Sequence, residues 1–173
     1  MKATTLSALF LAMVTITATG YAADGTINFT GSIIDETCTV DSGSQNLNVD
    51  LGKVSKTSLD GAAGKKAASS SFTLSLSKCP ETVTTAKVKF DGTSDSSNQQ
   101  LLALNSDTGV ASGVGIEIAD SSGNPIALHT ASPDIKLTGG ANSLNFIARY
   151  VSTGTVVTAG NANGTSQFTI NYK

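Results

Sequence analysis

Residues 25–33 read GTINFTGSI, and residues 168–173 read FTINYK. Both alternate apolar and polar side chains: Ile27, Phe29, Gly31 and Ile33 in the first, Phe168, Ile170 and Tyr172 in the second. A period of two puts each set on one face of an extended chain, the pattern of a β-strand with one buried side. Chain ends fray unless something pairs with them. Two strand patterns at opposite ends of a 173-residue chain therefore require partners.

The same period runs through the interior. SFTLSLSKC places Phe72, Leu74 and Leu76 on one face, and TAKVKFDG does so with Ala86, Val88 and Phe90 before an Asp91-Gly92 turn. QNLNVDLGKV alternates Leu47, Val49 and Leu51, and SLNFIARYVSTG alternates Leu144, Phe146, Ala148 and Tyr150. VGIEIADSSGNPIAL reads as a hairpin, with Ile116 and Ile118 facing Ile126 and Leu128 across a Ser-Gly-Asn-Pro turn. About seven to eight short strands at regular spacing predict an all-β antiparallel sandwich. Residues 57–71, TSLDGAAGKKAASSS, are small and polar, and predict a loop or one short helical turn.

Residues 1–22 predict a removable leader. Lys2 supplies a basic start, Leu6 to Ile16 a short apolar run, and Gly20 and Ala22 the small residues of a cleavage site. The run is too short and too broken by threonines to span a membrane. Cleavage after Ala22 is the first reading and after Ala23 the alternative. The remainder divides into residues 23–34, the N-terminal strand segment, and one domain over 35–173. Without Lys2 the chain holds 10 basic and 13 acidic residues, a net charge of −3. A mildly acidic chain with no basic patch is a poor partner for nucleic acid or an anionic membrane. In an exported protein the pair Cys38 and Cys79 reads as a disulfide. Such a link closes a loop of about 42 residues and stabilises by roughly 4 kcal/mol.

Reactive chemistry is sparse. His129 is the single histidine, so any Ser-His-Asp constellation has to use it, and its strand-end position suits a solvated side chain. GAAGKK at Gly61–Lys66 fails the phosphate-loop pattern, which needs glycine at Leu59 and a hydroxyl at Lys66. No spacing of cysteine and histidine suits a metal, and Glu36, Glu81 and Glu117 do not pair as acid and base. The expectation is a non-enzyme without metal or cofactor. The sequons at Asn28 and Asn163 read as incidental.

ADGTINFTGSIIDETC over 23–38, the two cysteines, GVGIEIADSSG, FIARYVSTGTVVTAGNANG and the terminal GNANGTSQFTINYK form an ordered set across the whole chain. Gly160 stands fourteenth from the end and Tyr172 is penultimate. The set resembles the pilin subunits of chaperone–usher fimbriae, in the type 1-like branch. The resemblance implies an incomplete immunoglobulin-like β-sandwich lacking its last strand, completed by a donor strand from a neighbouring subunit. It implies donor positions Gly25, Ile27, Phe29, Gly31 and Ile33. It implies an acceptor and chaperone-contact strand marked by Gly160, Phe168, Ile170, Tyr172 and the carboxylate of Lys173, and a Cys38–Cys79 disulfide. The implied partners are neighbouring subunits, first of all copies of this chain, a periplasmic chaperone and an outer-membrane usher. The implied location is the extracellular fimbrium, reached through the periplasm, in support of cell adhesion. Within the family a minor or adaptor subunit is the alternative to the major one. Outside it, a self-complete secreted sandwich that binds as a monomer is the rival.

Overall fold

A computed structural model describes residues 25–31, 33 and 37–173. The predicted leader, residues 1–22, lies outside the described residues. The chain divides into two units, Met1–Ile33 and Ile34–Lys173. In the first, the described residues form no strand, and Ile27, Phe29 and Ile33 are exposed. The alternation expected to make a strand is present, but a strand exists only where a ladder partner satisfies its backbone groups.

The second unit is a sandwich of two antiparallel sheets. Its elements are β1 (Thr39–Val40), α1 (Ser42–Gln45), α2 (Lys56–Leu59), β2 (Ser70–Cys79), β3 (Thr85–Asp91), β4 (Val114–Asp120), β5 (Pro125–Ile126), β6 (Ile135–Lys136), β7 (Gly140–Ser152) and β8 (Gln167–Tyr172). One sheet has the order β1-β2-β7-β4-β5 and the other β6-β3-β8. The predicted alternation selects the inward faces. Leu74 and Leu76 of β2, Ala86, Val88 and Phe90 of β3, Ile116 and Ile118 of β4, and Leu144, Phe146 and Ala148 of β7 are buried together. Phe146 sits at the centre, stacked on Phe72 at 5.6 Å and edge-on to Phe90 at 5.2 Å between ring centroids.

Three local features fix this frame. Cys38 and Cys79 form a disulfide, tying the approach to β1 to the end of β2. The β4–β5 hairpin closes on Asp120, whose carboxylate accepts the N–H groups of Ser122 and Asn124 at 2.9 Å. These bonds hold the Asp120 carboxyl below its ordinary pKa, with the Asn124 side chain the largest cause. On the outer face, Glu117 stands directly opposite Arg149 across the β4–β7 ladder. Its buried carboxylate accepts from Arg149 Nε at 2.7 Å and pairs with Lys66 Nζ at 2.9 Å. Lys66 thereby pins residues 60–67 along the end of β7, where Ala67 N–H donates to Tyr150.

Two departures from the sequence reading matter. Of residues 45–54, expected as a strand, Gln45 ends α1 and the rest run on toward α2 without a ladder partner among the described residues. Val49 and Leu51 still pack on the core while Leu47 turns out. In the predicted hairpin only Ile118 pairs with Ile126. Ile116 bridges Leu102 instead, and Leu128 N–H donates to Gln100.

Candidate functional site: an open groove

β8 is the edge strand of its sheet, paired with β3 on one side only. Its burial alternates between exposed Gln167, Thr169 and Asn171 and half-buried Phe168, Ile170 and Tyr172. The inward side chains stop at half burial, and among the described residues no strand pairs with β8 beyond the sheet edge. Across from β8 runs the unpaired segment 46–52. Between the two lies a groove of about 1230 Å³. One wall is residues 44–52 and the other residues 162–168. The floor is the sandwich core itself: Phe72, Leu74, Phe90, Ile116, Ile118 and Ala148.

Residues 46–52 and the open side of β8 thus lack a ladder partner among the described residues, and the trench between them has an apolar floor. An extended chain laid between them could satisfy both edges and bury alternate side chains on the floor. Among the described lining residues, Asp50 brings the one carboxylate. Tyr150 closes one end, its hydroxyl donating to the Ala162 carbonyl at 2.8 Å. Burial pushes the Tyr150 hydroxyl above the usual tyrosine pKa, with the Asp50 charge adding to it. Tyr172 is raised by burial alone.

Phe168 lines the groove, and Ile170 and Tyr172 continue its side of β8 into the core. Lys173 ends the same ladder. Its N–H donates to the Thr85 carbonyl at 2.8 Å, and its backbone oxygen accepts the N–H groups of Thr84 (2.9 Å) and Thr85 (3.0 Å). Gly160 does not line the groove. A Cβ there would stand 2.5 Å from both Ala111 N and the Gly109 oxygen, so glycine permits close approach to the 109–111 backbone. Gly25 and Gly31, by contrast, have open space around a built Cβ.

Sequence reading missed one polar cluster. His129, held at φ 64°, lies between Asp91 and Ser94: Nδ1 is 2.9 Å from the Asp91 carboxylate and Nε2 3.3 Å from the Ser94 hydroxyl. The histidine is half exposed, and Asp91 also pairs with Lys89 at 3.0 Å. The histidine bond, then Lys89, hold the Asp91 carboxyl below its ordinary pKa. The cluster lies outside the groove lining and ties together the end of β3, the loop at Ser94 and the turn at His129. No sequence signal marks it, because its members come from separate segments that only the fold brings together.

Comparison with known proteins gives a consistent picture. A family model described as "Fimbrial protein" matches residues 27–173. The chain is 37% identical over 169 residues to a probable major fimbrial subunit, LpfA, of Escherichia coli O157:H7, covering 97% of this chain and 94% of the relative. It is similar in structure to a Burkholderia pseudomallei antigen and type I fimbria protein, with a TM-score of 0.62, 36% identity, and coverage of 86% of this chain and 97% of the other. The fold also matches the P pilus rod subunit PapA at a TM-score of 0.67 and 22% identity, over 80% of this chain and 100% of that one.

Proposed function

The chain belongs to the fimbrial protein family, and on that premise we propose that it is a structural subunit that polymerises by lending residues 23–34 to the groove of a neighbouring copy. Its relatives are structural fimbrial subunits rather than enzymes. The fold is all-β, an incomplete immunoglobulin-like sandwich.

The observation that carries the reading is the groove between β8 and residues 46–52, open to the core along two unpaired edges. A chain that ends a sheet this way needs a strand from elsewhere. Residues 25–33 supply one with matching alternation, and their apolar members are exposed in the described chain. Ile27, Phe29 and Ile33 would fill the trench, each worth roughly 1.5–3 kcal/mol on full burial. Backbone bonds to both edges add to this. The small residues Gly25 and Gly31 let the inserted backbone approach the floor closely.

The proposal extends to assembly. Residues 1–22 direct export and are removed. A periplasmic chaperone covers the groove and engages the Lys173 end until an outer-membrane usher exchanges it for the next subunit. The product is an extracellular fimbrium that supports adhesion. A role as the major subunit is favoured by the likeness to a probable major subunit. The short segment before Cys38 also suits a minor or adaptor subunit.

Assembly is tested by size distribution. The chain from Ala23 should form a ladder of polymers. A variant lacking residues 23–32 should accept one donor but end the ladder. Equal monomeric behaviour of both chains would sink the polymerisation reading and favour a self-complete binding module.

A further inference from the structure

The sequence contains a single Asn-Gly pair, Asn163–Gly164, and both residues line the groove. The glycine sits in close packing. A Cβ at Gly164 would come within 2.7 Å of Ile116 Cδ1 and 3.3 Å of the Ala103 carbonyl oxygen. The pair lies in residues 162–166, which have no regular secondary structure, and both residues are exposed. Asn163 is held only through its carbonyl, which accepts the Asn105 N–H at 2.7 Å. Among the described residues, neither the Asn163 carboxamide nor the Gly164 N–H has a hydrogen-bond partner.

These are the conditions for intramolecular attack of a backbone amide on its neighbour. The nucleophile carries no side chain to hinder it, and neither reacting group must first break a bond. We propose that Asn163–Gly164 is a deamidation site whose reaction an inserted strand suppresses. The Gly164 nitrogen gives up its proton and attacks Asn163 Cγ. A carbon–nitrogen bond forms and ammonia leaves, closing a succinimide. Water then opens the ring to aspartate or isoaspartate, so the net change is amide plus water to acid plus ammonia. The product places a second carboxylate in a groove that holds Asp50. The isoaspartate form also lengthens the backbone beside the Gly164–Ile116 contact. An occupied groove covers this wall and restrains the loop, so empty subunits convert and filled ones are spared. The suppression rests on the strand-accepting reading of the groove, whereas the deamidation does not.

The test incubates the purified chain lacking residues 23–32, which accepts a donor strand but supplies none, at mildly alkaline pH, with and without a saturating peptide of residues 23–35. Peptide mapping separates asparagine, aspartate and isoaspartate. Conversion should concentrate at Asn163, outpace Asn105 and Asn161, quicken as pH rises, and be severalfold slower in Asn163→Gln. Bound peptide should slow it severalfold, and Asn163→Asp should take up peptide more weakly. If Asn163 keeps its amide while a reduced, denatured sample converts there, the site is overturned. If conversion runs unchanged with peptide shown by thermal melting to be bound, the control by occupancy is overturned. A peptide that fails to bind at all counts against the functional reading, and the peptide-free arm still decides the site.

Discussion

Glu117 shows how one residue joins strand pairing to electrostatics. Its carboxylate is buried on the outer face of the larger sheet and held by Arg149 and Lys66. A buried carboxylate is tolerable only while it is paired and hydrogen-bonded. Arg149→Met should therefore cost about 3 kcal/mol in denaturant melts, the low end for breaking a buried pair, because Lys66 stays. Adding Glu117→Gln to that variant should recover part of the loss. Asp91 gives a pH-dependent case. His129 and Lys89 stabilise its ionised form, so its contribution is present above the ordinary carboxylate range. It is lost as pH falls below about 4 toward the depressed native value. Asp91→Asn should flatten that acid limb of stability measured against pH. Neither cluster is legible in sequence. Glu117 and Arg149 meet only through the β4–β7 register, and Asp91, Ser94 and His129 only through turn geometry.

At the scale of elements, period-two alternation located β2, β3, β4, β7 and β8, because each has one face on the shared core. Residues 45–54 show its limit. Val49 and Leu51 do face the core, but Leu47, the third member of the alternation, does not. Whether such a stretch is a strand depends on a neighbour, and none lies beside it. The two-residue strands β1 and β6 are too short to carry a period at all. β8 is legible to its last residue, but its closing bond is not. The Lys173 backbone oxygen receives the N–H groups of Thr84 and Thr85 in line with the β3 ladder. Lys173→Ala, which keeps these backbone bonds, should leave the melting temperature unchanged in a thermal melt.

For the whole molecule, the proposed strand exchange gives the two end patterns one explanation. β8 borders a groove that its own domain leaves uncovered. Residues 25–33 carry the alternation such a groove accepts, with Ile27, Phe29 and Ile33 exposed. The groove was foreseen from the resemblance of the ordered motifs, not from periodicity, which cannot tell an edge strand from a central one. Its walls could not have been read from sequence, because one of them is the unpaired stretch 46–52. Gly160, marked by the same motifs, serves the approach to residues 109–111 instead. The most direct measurement is thermal melting of the chain lacking residues 23–32, with and without a peptide of sequence ADGTINFTGSIID. Donor-strand completion predicts a large, saturable rise in melting temperature that Phe29→Asp in the peptide abolishes. A shortened chain that is already stable, and that the peptide leaves unchanged, would contradict it.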